Sequence, residues 1–136
     1  MSVFLDTNIL LYSISTDRGD AAKREQAILL LQRDDCMLSV QVLQEFYVQA
    51  TRSSRSDALA HATAVGLIRT WLRFKVQENS TAVLQDALEI KRATGFSFWD
   101  CNIVAAASAA GCRELYSEDL SHGREITGIR IINPFR

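Results

Sequence analysis

The chain has 136 residues, 48% of them hydrophobic, with 15 basic and 16 acidic side chains. That length suits one domain, residues 1–136, with a proper core, and a single proline argues against disorder. Near-neutrality excludes a general polyanion binder, so any contact with nucleic acid should be local. No charged-then-apolar leader follows Met1, and no apolar run approaches the ~20 residues a membrane helix needs, so a soluble cytoplasmic protein with no membrane association is expected. Cys36, Cys101 and Cys112 are odd in number and lack CxxC spacing, which reads as buried reduced thiols.

Val3-Phe4-Leu5 is a short apolar run of strand formers, and Asp6-Thr7-Asn8 ends it. Thr7 or Asn8 can cap a helix over Ile9 to Ile14. After a polar break around Gly19, a second helix reaches about Arg33, with Ala27, Ile28, Leu30 and Leu31 toward the core. Cys36-Met37-Leu38 is the next strand. Ser39 then caps a helix with apolar positions Val42, Leu43, Phe46, Tyr47 and Ala50 at three- and four-residue spacing. A polar stretch, Thr51 to Asp57, leads to a fourth helix ending near Leu72, with Val65, Ile68 and Leu72 on one stripe. Phe74 to Gln77 reads as a strand. Helix five spans Ser80 to about Ala93 and stops at Gly95; helix six opens at Ser97 and ends at Gly111. Glu114-Leu115-Tyr116 and Ile129 to Ile132 supply the last strands. This alternation implies parallel βαβ units and an α/β fold whose sheet is covered on both faces.

Four acids stand beside strand ends or helix starts: Asp6, Glu45, Asp100 and Asp119. Each has an ordinary alternative. Asp6 could serve the following helix N-terminus, Glu45 could be solvated, Asp119 could be a turn residue, and Ser97 to Asp100 matches a capping box. Ligand sites in open α/β sheets lie beyond the carboxyl ends of the strands, where all four could meet. Carboxylates held that close repel one another, and Mg²⁺ or Mn²⁺ would relieve the conflict, because both favour oxygen ligands. An acidic pit with such a metal suits phosphodiester cleavage.

Thr7, Asn8 and Ser117 could support the carboxylates or bond locally in turns. Glu118, next to Asp119, would point the other way in extended chain and reads as solvated. Arg18, Lys23, Arg24, Arg52 and Arg55 are candidate RNA contacts, or else a solvated face. Only His61 and His122 are present, which supports neither a His-centred triad nor a zinc site. No phosphate-cradling glycine loop occurs.

Leu5-Asp6-Thr7-Asn8, Gln44-Glu45-Phe46, Phe98-Trp99-Asp100 with Ile103 to Ala107, and Leu115 to Leu120 with His122-Gly123 resemble PIN-domain ribonucleases. They resemble especially the VapC-type toxins of type II toxin–antitoxin modules, and Ile131 to Phe135 is similar to that group's final strand. The resemblance covers essentially the whole chain. It implies a three-layer α/β/α PIN-like fold around a short, mainly parallel sheet, and endonucleolytic cleavage of RNA dependent on Mg²⁺ or Mn²⁺. Asp6, Glu45, Asp100 and Asp119 take the acidic quartet, and Ser117 takes a hydroxyl position that is often threonine. A homodimer and a cognate antitoxin covering the groove are implied as partners.

On this reading Asp6 and Asp100 hold an ion directly, and Glu45 and Asp119 complete the site or bind through water. Water is then the nucleophile, so products should carry 5′-phosphate and 3′-hydroxyl ends. Two other readings stay open. One is an Mg²⁺-dependent phosphatase or phospho-acceptor domain, although Asp6-Thr7-Asn8 lacks a second aspartate two residues on. The other is a catalytically inert PIN module that binds RNA or protein.

Overall fold

The computed structural model describes residues 2–136. In chain order the elements are β1 (Val3–Leu5), α1 (Thr7–Ser13), a 3-10 turn (Arg18–Asp20), α2 (Ala21–Leu31), β2 (Cys36–Ser39), α3 (Val40–Ala50) and α4 (His61–Trp71). Then follow β3 (Lys75–Gln77), α5 (Thr81–Thr94), α6 (Phe98–Ala109), β4 (Glu114–Tyr116), β5 (Glu125–Ile126) and β6 (Ile129–Ile132). The six strands lie in the order β3-β2-β1-β4-β6-β5, all neighbours parallel except the β5–β6 hairpin. Helices flank this sheet, as the alternating pattern predicts.

Strand β1 sits centrally, and Val3, Phe4 and Leu5 are all buried, as expected for a parallel strand covered on both faces. The chain first moves outward from β1 through β2 to β3, then returns to lay β4 on the other side of β1. Strand order reverses there, so the crevice beyond the ends of β1 and β4 is the topological switch point where α/β sheets bind ligands. Leu5 pairs with Tyr116, and the Asp6 N–H donates to the Tyr116 carbonyl at 3.0 Å. The two chain exits therefore leave the sheet side by side.

Serine caps start three helices. Ser39, Ser80 and Ser97 accept from the N–H groups of Val42, Val83 and Asp100. Gly95 closes α5 in the left-handed region at φ 74°. Helix α6 is apolar nearly all round, and Cys101 to Ala107 are buried without interruption. Its one buried amide, Asn102, donates to Gln41 Oε1 at 2.7 Å and Asn79 Oδ1 at 3.0 Å, tying α6 to α3. Cys36, Cys101 and Cys112 are free and buried.

Several expectations are corrected. Helix α1 begins at Thr7, and its cap is Asp6 rather than Thr7 or Asn8. In α4 the core positions are Ala64 and Trp71, while Leu72 is exposed and Ile68 only half-buried. Strand β5 carries no apolar alternation and was not expected. It pairs with β6 through a tight turn at Thr127 and Gly128, both at positive φ (49° and 84°). No helix among the described residues is long and apolar enough to cross a membrane.

Candidate active site

At the switch point Asp6, Glu45, Asp100 and Asp119 line one small cavity of about 150 Å³, together with Thr7, Asn8, Leu11, Gln49 and Ile103. Asp6 arrives at the end of β1 with extended backbone, and its Oδ1 accepts the Thr7 N–H at 2.7 Å as the cap of α1. Its Oδ2 accepts the Ser117 hydroxyl at 2.7 Å from the loop after β4. Capping and facing the pit are thus compatible, because each carboxylate oxygen does one of them.

Hydrogen bonds set Glu45 and Asp119, while Asp100 is placed by its helix turn. Thr7 Oγ1 donates to Glu45 Oε1 at 2.8 Å, bridging α1 and α3. Asn8 Nδ2 donates to Asp119 Oδ2 at 3.1 Å, with longer approaches of 3.4 Å to Asp6 Oδ2 and Ser117 Oγ. Ser117 Oγ in turn accepts the Asp119 N–H at 3.2 Å. Asp100 sits in the first turn of α6; its N–H bonds Ser97 Oγ, while its carboxylate takes no hydrogen bond among the described residues. Asp100 therefore fills the capping-box spacing with only half of that motif's bonding.

Burial pushes the Asp6 carboxyl up to about 6. The Ser117 and Thr7 hydrogen bonds pull it down, and the neighbouring Asp119 and Glu45 carboxylates push it up again. A buried acid that resists ionisation beside other acids is the signature of a site that gains from a cation. The donor set is all oxygen and suits a hard divalent ion. Among the described residues, however, no three His, Cys, Asp or Glu side chains alone enclose an ion. Mg²⁺ commonly binds through one or two carboxylates and keeps several waters, so the residues fit an ion held partly by water.

Glu118 departs from its expected solvated place. Its Oε1 accepts Tyr12 Oη at 2.7 Å, and its Oε2 lies 2.7 Å from Lys23 Nζ. Burial opposes its ionisation, but Lys23 and Tyr12 outweigh that and hold its pKa below the usual range. The Lys23 ammonium also lies over the Tyr12 and Phe135 rings, so it is engaged inside the protein. Arg55 is likewise engaged, with Nε 2.6 Å from Asp57 Oδ1. Arg18, Arg24 and Arg52 are exposed, and none of the five basic residues lines the pit. His122 accepts the Asn133 N–H, and His61 meets the Tyr47 hydroxyl. Gln49, one turn beyond Glu45, lines the pit without having been singled out; helical spacing from Glu45 was the available signal. A larger cleft of about 620 Å³, between α5, α6 and β5, holds none of the four acids.

Known structures share this architecture. A toxin–antitoxin complex from Klebsiella pneumoniae aligns over 98% of both chains with a TM-score of 0.71 at 18% identity. The sarcin-ricin-loop-cleaving toxin VapC20 of Mycobacterium tuberculosis aligns over 87% of this chain and 90% of its own, with a TM-score of 0.66 at 22% identity. The DNA-bound VapBC complex of Salmonella typhimurium covers 96% of both chains, with a TM-score of 0.65 at 23% identity. No curated protein matches the chain. The PIN-domain family profile matches residues 3–124, nearly the full length, and on that match the chain belongs to the PIN-domain family.

Proposed function

We propose that this protein is a metal-dependent endoribonuclease and the toxin half of a toxin–antitoxin pair. The observation that carries the reading is the pit itself: four carboxylates, two on helices α3 and α6 and two just beyond the ends of β1 and β4, converge on one cavity at the switch point. Membership of the PIN family and likeness to toxin structures, one of them described as cleaving the sarcin-ricin loop, support the same reading.

Asp6 and Asp100 would hold the ion, and Glu45 and Asp119 would complete its surroundings directly or through water. A bound Mg²⁺ or Mn²⁺ would supply Lewis acidity toward the phosphate and a more acidic water. Ser117 and the Thr7 N–H orient Asp6. Thr7 Oγ1 fixes Glu45, and Asn8 fixes Asp119, so the acids are pre-positioned before substrate arrives. An antitoxin would silence the enzyme by covering this groove. A second copy would pack on the apolar face of α3 and α4 around Leu72, which is 54% exposed.

The test is a panel of structured RNAs incubated with and without EDTA, followed by analysis of product ends. Cleavage should stop with EDTA and leave 5′-phosphate and 3′-hydroxyl termini. Asp6→Asn and Asp100→Asn should each lower the rate at least 100-fold. Cyclic phosphate ends, or EDTA-resistant cleavage, overturn the mechanism. Labelling of Asp6 by acetyl phosphate would favour the phospho-acceptor reading instead.

A further inference from the structure

We propose that Trp99 and the groove beside it form a nucleobase subsite, on which a base of single-stranded RNA flanking the cleaved bond stacks. This rests on the ribonuclease reading and extends it to how the substrate is gripped. Trp99 is 59% exposed, in the first turn of a helix buried from Cys101 to Ala107, directly before Asp100. Its position is nonetheless fixed. The Trp99 carbonyl accepts Gln41 Nε2 at 3.1 Å, and its ring meets Phe98 edge-on at 5.1 Å. Gln41 is itself buried and braced by Asn102. A large flat side chain is thus held in water on a rigid mount.

The groove it borders has a volume of about 260 Å³ and is lined by Gln41, Gln44, Glu45, Val48, Gln49 and Trp99. Glu45 and Gln49 line the carboxylate pit as well, so the two cavities adjoin across one turn of α3. The chemistry of the lining selects its occupant. Trp99 and Val48 offer an apolar wall, and the exposed Gln44 and Gln49 amides carry both donors and acceptors. The only charge is the Glu45 carboxylate, which repels phosphate. A neutral, flat, hydrogen-bonding group fits, and in an RNA that group is the base.

The chain's two tryptophans make the test direct. Trp71 is 5% exposed and packed against Phe46, so acrylamide quenching of fluorescence reads Trp99. In EDTA, a single-stranded RNA of about twelve nucleotides should protect Trp99, and a strand with the same backbone but abasic sites should not. With metal restored, Trp99→Ala should raise KM roughly 5- to 150-fold, as expected for loss of a stacked base, and leave kcat within about threefold. Trp99→Phe should recover most of that loss. Equal protection by the abasic strand, or an unchanged KM in Trp99→Ala, overturns the subsite. So does protection that grows with protein concentration without RNA, which assigns Trp99 to contact with a second copy. If the wild type cleaves RNA while Trp99 stays silent, only the subsite fails. If base-bearing RNA protects Trp99 but no RNA is cut, the nuclease reading fails, which overturns the subsite's place beside a cleaved bond and leaves only base stacking on Trp99.

Discussion

Asp6 serves two demands that conflict at neutral pH. Its carboxylate caps α1 and faces the pit, yet burial holds its pKa near 6 against 3.8 for a free side chain. The folded state therefore binds more protons than the unfolded state between these values, so stability from this group is full below pH 3.8 and falls as pH rises through about 6. Two units correspond to about 3 kcal/mol. In urea titrations without metal, Asp6→Asn should gain stability over the wild type as pH goes from 4 to 7.5, and added Mg²⁺ should narrow the gap. A gap independent of pH would place the shift elsewhere. Cys36 and Cys112, both pushed up to about 11 by burial, should resist maleimide in the native protein and react only on unfolding. The place of Asp6 in the pit was legible because a strand end followed by a cap is a local pattern. Glu118 stays out of the pit, as alternation suggests, but it is not solvated, because Tyr12 and Lys23, more than ninety residues earlier in the chain, close on its carboxylate. Asn8 as the link from α1 to Asp119 was not legible, since its partner lies 111 residues away.

At the scale of elements, the helices follow from serine caps and apolar spacing that any reader of the chain can find. Ser97 is the cap with consequences for chemistry, because it fixes the turn that carries Asp100. Ser97→Ala should cost about 1 kcal/mol in stability and also lower RNA cleavage, whereas Ser80→Ala should cost a similar amount and leave cleavage unchanged. Differential thermal melts and cleavage rates separate the two. The β5–β6 hairpin escaped notice for a physical reason. A two-residue turn with both residues at positive φ calls for Asn-Gly or Asp-Gly, and this chain uses Thr127-Gly128. A β-branched residue at φ 49° is strained, so Thr127→Asn should stabilise the protein by about 0.5–1 kcal/mol in chemical denaturation. The stripe of α4 was misjudged because Trp71, not Leu72, turns inward against Phe46.

Over the whole molecule, the alternating pattern was enough to expect a parallel sheet, but the strand order was not readable, because short parallel strands carry no register signal of their own. The apolar strip around Ile68, Leu72 and Val76 is a surface feature only the assembled α3, α4 and β3 create. If a second copy covers it, Leu72→Glu should shift the protein to monomer in sedimentation while its helical content stays the same. Placing β1 between β2 and β4 has a further effect on how the molecule comes into being. Strand β1 is made well before β4, so one of its flanks stays bare until Glu114 to Tyr116 has been added, and the hydroxyl that steadies Asp6 belongs to Ser117. A nascent chain halted before that point holds at most three of the acids and lacks the wall that gathers them. Truncation ahead of β4 thus leaves the pit unassembled, and whatever chemistry it performs waits for Ser117 to be added.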